Sequence, residues 1–179
     1  ERALSLGPEC YEASYYSARF SFSGGELENA ARFFVRALEI DPEDYKSPCL
    51  LQGVFDHLGQ PENANRYGRL GIKRIEIAYG SLPDTIDPLA LGASVFAALG
   101  EHEKAREWLA RALALNDAIS DSWYNIACTY ALLGDLEKAL DLLEQWQPRT
   151  GSDQRRWLAE DRDFDSVRKH PRFIKLMEQ

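Results

Sequence analysis

The chain has 179 residues and 20.3 kDa, with 45% hydrophobic and 28% charged residues, a composition that excludes disordered, collagenous and membrane-embedded classes and leaves a soluble globular chain. Its formal charge of −8 argues against nucleic acid as a main partner, since that affinity rests on cationic contacts with phosphates. No apolar run approaches the ~20 residues of a membrane span; the longest, Leu89 to Leu99, is broken by Gly92 and Ser94.

In chain order, the first stretch Arg2-Ala3-Leu4-Ser5-Leu6-Gly7-Pro8 repeats Arg36-Ala37-Leu38-Glu39-Ile40-Asp41-Pro42 at an offset of 34. Residues 1–10 are therefore expected to be the closing helix of an earlier unit, cut from a longer chain. Gly25, Gly59, Gly100 and Gly134 follow at intervals of 34, 41 and 34, each between two helix-patterned stretches where a tight reversal needs a residue tolerant of positive φ. Five residues after each glycine stands an alanine, Ala30, Ala64, Ala105 and Ala139, which implies a close helix crossing. A second small-residue column, Ala37, Gly71 and Ala112, is broken by Trp146 in the last copy. The excess of seven residues in the middle interval is about two turns at ~3.6 residues per turn and predicts a lengthened helix over Glu62 to Tyr79. A loop over Gly80 to Ile86 should follow, and then a helix starting on an Asp87 cap with Pro88 in its first turn.

These residues resemble the tetratricopeptide repeat (TPR) family, a helix-turn-helix unit of about 34 residues. The strongest copy carries Trp123, Ile126, Ala127, Tyr130, Gly134, Asp135, Leu136, Ala139 and Leu143 where the family places its large, small, tyrosine, turn and bulky positions. The second copy departs most, with Pro48 near its start and Gly68 at a usually bulky position. The resemblance implies an all-α solenoid, a right-handed superhelix of antiparallel helix pairs with C-terminal capping helices. It divides the chain into residues 11–44, 45–85, 86–119 and 120–148 as four repeats and 149–179 as the cap. Trp123→Ala is expected to cost ~3–5 kcal/mol if Trp123 is buried between neighbouring helices, and Trp157 is expected to cover the open end of the stack. The stretch from Asp163 to Leu176 is similar to a tail found behind TPR arrays of bacterial signalling proteins, where Phe164, Val167, Phe173 and Leu176 would pack back on the last repeat.

Chemistry is sparse. His57, His102 and His170 fall in three different units, and His102-Glu103-Lys104-Ala105-Arg106 lacks the second histidine of a zinc-protease helix. Cys10, Cys49 and Cys128 are odd in number and widely spaced, so neither a disulfide framework nor a metal knuckle is legible, and a reducing cytoplasm is the easier setting. No catalytic residue, metal or cofactor is assigned, and the chain is expected not to be an enzyme. Most of Tyr15, Tyr16, Phe20, Phe22, Phe33 and Phe34 are expected in the core.

The resemblance implies binding, with a peptide or partner helix held in a concave groove lined by the first helix of each repeat. The groove-facing candidates are Tyr15, Arg19 and Phe22, then Cys49, Gly53 and Asp56, then Ala90, Ser94 and Ala97, and finally Asp121, Tyr124, Asn125 and Cys128. Only Arg19 and Asn125 suit the carboxylate clamp of chaperone-binding TPR proteins. The expected partner is a protein or peptide, with no nucleic acid or membrane contact, and the module would regulate a larger bacterial signalling protein. The alternative is a homo-oligomerisation module, in the simplest case a homodimer. Charge is uneven: residues 149–179 hold eight Lys/Arg against six Asp/Glu, so residues 1–148 carry 13 against 23. That asymmetry is assigned to solvated faces, or to a contact of the basic tail with another domain or subunit.

Overall fold

The computed structural model describes residues 10–81, 85–115, 122–146 and 152–178. Among them are ten α-helices and no strand: α1 (Tyr11–Ser23), α2 (Leu27–Ile40), α3 (Lys46–His57), α4 (Pro61–Ser81), α5 (Ile86–Ala98), α6 (His102–Ala114), α7 (Ser122–Leu132), α8 (Leu136–Trp146), α9 (Ser152–Glu160) and α10 (Pro171–Met177), with a 3-10 turn at Arg162–Phe164. The all-α expectation holds. The closing helix expected over residues 1–10 falls almost wholly outside the described residues, as does Asp121.

Each helix hairpin turns by the same local device. Gly25, Gly59, Gly100 and Gly134 have φ of 74°, 67°, 77° and 84°, the left-handed region in which a side chain costs ~1–2 kcal/mol. The residue after each glycine then donates its N–H back across the turn, Glu26 to Ser21 O, Gln60 to Phe55 O, Glu101 to Phe96 O and Asp135 to Tyr130 O, at 2.8–2.9 Å. This is the Schellman arrangement, which satisfies carbonyls that a helix end leaves open. The carbonyls of those same four residues accept the N–H groups of Ala30, Ala64, Ala105 and Ala139. The alanine column is thus the first full turn of each second helix, where the chain has just doubled back on the first. All four are buried, and a longer side chain there has no room. Ala105→Leu and Ala139→Leu are each expected to cost ~1–3 kcal/mol by overpacking; unchanged melting midpoints would show the crossing to be looser than the burial implies.

The chain divides into two compact units, one ending at Arg74 and the other starting at Ile75, so the boundary falls inside α4. In the first unit α2 packs on both α1 and α3. Its core holds Ala18, Phe22, Phe34, Leu51 and Val54. Gly71 of α4 is needed for packing: a Cβ there would sit 2.4 Å from Cys49 Sγ and 3.1 Å from the Cys49 backbone N. In the second unit α5 packs on α6 and α7, and α7 on α8. A helix buried all round reads as core, and in α5 Ile86 and every residue from Pro88 to Ala97 is buried. Gly92 lets the Trp108 indole reach the α5 backbone, since a Cβ at Gly92 would lie 2.4 Å from that ring.

Some expectations need correction. The lengthened helix is present but runs from Pro61 to Ser81, taking in residues expected to be loop. α5 begins at Ile86 with Thr85 as its extended N-cap residue, and Asp87 instead accepts the Ser122 hydroxyl. Trp123 is only half-buried, so Trp123→Ala costs less than truncating a fully enclosed aromatic. Tyr16 and Phe20 are 64% and 67% exposed, outside the core expected for the aromatic run.

Candidate functional site

The candidate residues of the first unit lie along α1 and α3. Tyr15 is half-buried, its ring edge-on to Phe34 at 5.8 Å, stacked on Tyr11 at 5.7 Å and 5.9 Å from the Arg19 guanidinium. Burial pushes its phenol up, against the opposing pull of Arg19. Phe22 and Cys49 are buried among the helices of their own unit, Phe22 5.9 Å from the His57 ring. Asp56 is exposed and Gly53 half-buried, one helical turn apart. Asp44, not singled out from sequence, is buried and accepts the N–H groups of Lys46 and Ser47 at 2.7 and 3.0 Å, which fixes the start of α3. Arg74 holds the same loop by donating to the Asp44 carbonyl at 2.7 Å.

Three candidates of the second unit, Ser94, Tyr124 and Cys128, meet a segment from outside the repeats. Tyr124 donates its hydroxyl to Asp161 at 2.6 Å, and Ser94 donates to Asp163 at 3.5 Å. Ser166 adds a bond to the Ala131 carbonyl at 3.4 Å. Between them Phe164, fully buried, packs edge-on to Tyr124 at 5.5 Å and 6.3 Å from Phe173. Phe164, Val167, Phe173 and Leu176 do pack into one core with α7 and α8, as the tail pattern predicts. What the sequence reading missed is that this tail also lies on Ser94, Tyr124 and Cys128, the residues assigned to an open groove. The available signal was Asp161 and Asp163, two acids in a tail of net positive charge.

The segment is organised by its own residues. Asp161 accepts the Asp163 N–H at 3.0 Å and so caps the 3-10 turn, while Arg168 donates to the carbonyls of Ala159 and Asp161 at 2.5 and 2.8 Å. Further along, Arg172 spans Glu137, Asp141 and Glu144 at 2.6–2.9 Å, three acids on one face of α8. Its hydrogen bond holds the Glu144 carboxyl below the usual range. Arg172 of the basic tail therefore finds an acidic surface within its own chain.

Cys128, Asp161 and Asp163 bring three potential ligand atoms within 4.8 Å of one another, the one such grouping among the described residues. Burial pushes the Cys128 thiol well up, and burial does the same to Cys49. The carboxylates already accept from Tyr124, Ser94 and backbone, so hydrogen bonding accounts for the cluster. His170 accepts the Arg172 N–H at 3.3 Å and caps α10, a local structural role.

Burial also pushes the Asp161 carboxyl up, with the hydrogen bond from Tyr124 acting against it. An unfolded Asp titrates near ~3.9, so between that pH and the raised native value the folded chain holds an extra proton. Asp161 therefore stabilises the fold at acid pH, and this contribution is lost as pH rises through its native pKa. The melting-temperature difference between Asp161→Asn and the parent should move in the variant's favour as pH rises across that window. Parallel pH profiles for the two proteins would count against an enclosed carboxylate.

The tetratricopeptide repeat profile matches residues 1–45 and 91–154, more than half of the chain, and passes over the divergent second copy. The chain belongs to the tetratricopeptide repeat family. The Arabidopsis thaliana protein CTR9 homolog is 29% identical over 143 residues, 78% of this chain but 13% of that protein, so the chain spans a small part of that relative's length. A TPR protein of Thermus thermophilus shares the fold at a TM-score of 0.58 and 23% identity, covering 89% of this chain and 84% of its own. PilW, a type IV pilus biogenesis factor, shares it at 0.52 and 17%, covering 97% and 77%. TPR arrays generally act as protein-interaction scaffolds, and the fold is typically non-catalytic. No helix among the described residues is long and apolar enough to cross a membrane.

Proposed function

We propose that the chain is a non-catalytic interaction module that takes a peptide or partner helix on its first-helix faces, as the regulatory TPR region of a larger bacterial signalling protein in the reducing cytoplasm. The observation that supports this most is the seating of a non-repeat segment on α5 and α7 through Ser94 and Tyr124, because it exemplifies the binding such a face performs. Tyr15, Arg19 and Asp56 are the corresponding contacts of the first unit, and Asn125 and Asp121 belong with the second. The repeats drawn over 11–44, 45–85, 86–119 and 120–148 are the binding units, and the tail from Asp163 to Leu176 supports the signalling context.

Peptide display against the whole chain tests the reading. An enriched sequence family should lose affinity about tenfold in Arg19→Ala/Asp56→Ala while the melt is unchanged, a loss of ~1.4 kcal/mol. Failure to enrich any sequence, or binding indifferent to that double variant, overturns it. A homo-oligomerisation role draws on Tyr16 and Phe20, exposed one helical turn apart on α1. Sedimentation at micromolar concentration that gives only the 20.3 kDa monomer removes this second reading.

A further inference from the structure

The α5 and α7 face of the second unit is filled by a turn that has the character of a ligand. It meets that face through two carboxylates two residues apart, Asp161 and Asp163, on the hydroxyls of Tyr124 and Ser94, through Ser166 on the Ala131 carbonyl, and through Phe164, which enters beside Tyr124 into the apolar cluster of α7 and α8. The turn keeps its shape through bonds within the tail, from Asp163 N–H to Asp161 and from Arg168 to Ala159 and Asp161. A preorganised segment loses little further freedom on docking. Its outer side chains, Arg162 and Asp165, are exposed, so the segment lies at the surface of the unit and is not threaded through it.

We infer that Asp161–Phe164 is a tethered ligand, and that the face it covers accepts from another molecule a peptide of the same chemistry: two carboxylates two residues apart, followed directly by an aromatic side chain. The inference rests on the reading that first-helix faces take peptides, and it names the peptide class for one of them. A tether sets a local concentration on the order of millimolar, so an outside peptide binds only when it outcompetes the tail or the tail's grip is weakened. The hydroxyls of Tyr124 and Ser94 grip the two carboxylates. The face therefore selects by hydrogen-bond geometry and enclosure.

The test uses the full chain and a labelled peptide of residues 160–169. The double variant Asp161→Asn/Asp163→Asn weakens the tethered copy and leaves Ser94, Tyr124 and Cys128 intact. It should bind the peptide about tenfold more tightly than the parent chain. Adding Tyr124→Phe should abolish that gain, and a peptide with both acids changed to Asn should bind none of the proteins. Equal affinity for parent and double variant, or a gain that survives Tyr124→Phe, overturns the inference. Should the double variant fail to fold, hydrogen exchange on the parent decides. Amides of residues 160–168 exchanging faster than those of α7 and α8 support a turn that undocks, and exchange only with global unfolding makes it ordinary core. If display selects peptides for the α1 and α3 face while the 160–169 peptide stays unbound, the interaction reading stands and this one falls.

Discussion

Phe164→Ala is expected to lower stability by ~3–5 kcal/mol, among the largest losses available in the second unit. The ring is fully buried in the cluster formed by Leu140, Leu143 and Trp146 of α8 with Leu158, Val167 and Leu176 of the tail. Its neighbours are poorly placed to collapse into the space it leaves. Tyr124 is held by its hydroxyl on Asp161 and by Trp146 at 5.0 Å, and Phe173 sits in the short α10, which Arg172 pins to α8. A cavity that neighbours cannot fill costs more than the transfer of the missing ring alone. The truncation also frees the residue between Asp163 and Asp165, so the Tyr124 and Ser94 bonds should weaken with it. A lower denaturant midpoint at unchanged slope is the expected signature. A loss under ~1 kcal/mol would place Phe164 on a surface that water already reaches.

The contrast between Phe164 and the turn glycines explains how much of the molecule its sequence displayed. A left-handed φ or a close crossing admits only one or two residue types, so Gly25, Gly59, Gly100, Gly134 and the alanines after them stand in columns that anyone can align. Gly71 belongs to such a column because Cys49 leaves no room for a Cβ, whereas Gly92, equally constrained by Trp108, looked like a mere break in an apolar run. Helix ends were less legible. Thr85 and Asp87 are both acceptable cap residues, and only the long-range partner Ser122 decides that Asp87 is used elsewhere. Tyr16 and Phe20 have core-like helical spacing, but spacing states which residues share a face and not what covers it. The docking of the tail on Ser94 and Tyr124 was least visible, since pairs separated by 69 and 37 residues leave no periodic trace. Of the basic tail, Arg172 pairs with Glu137, Asp141 and Glu144 of the same chain, a local cluster on a solvated face of the kind the charge pattern implies.

Phe34→Ala should be as damaging to the first unit, ~3–5 kcal/mol, for a reason that follows from the repeat itself. Phe34 is fully buried on the inner face of α2, in line with Ala30 and Ala37. Those alanines let α2 lie close to its neighbours, so one large ring fills the space that several small residues leave. Tyr15 meets that ring edge-on at 70°, an arrangement worth ~0.5–1.5 kcal/mol beyond area burial, and it would go with the ring. Alanine at position 34 would put three small side chains, with Ala30 and Ala37, on successive turns of α2. Hydrogen exchange then separates the two truncations. Phe34→Ala should deprotect α1 to α3 first and Phe164→Ala α7 and α8 first, because each ring belongs to the core of its own unit. Identical deprotection patterns in both variants would overturn the assignment of each ring to the core of its own unit.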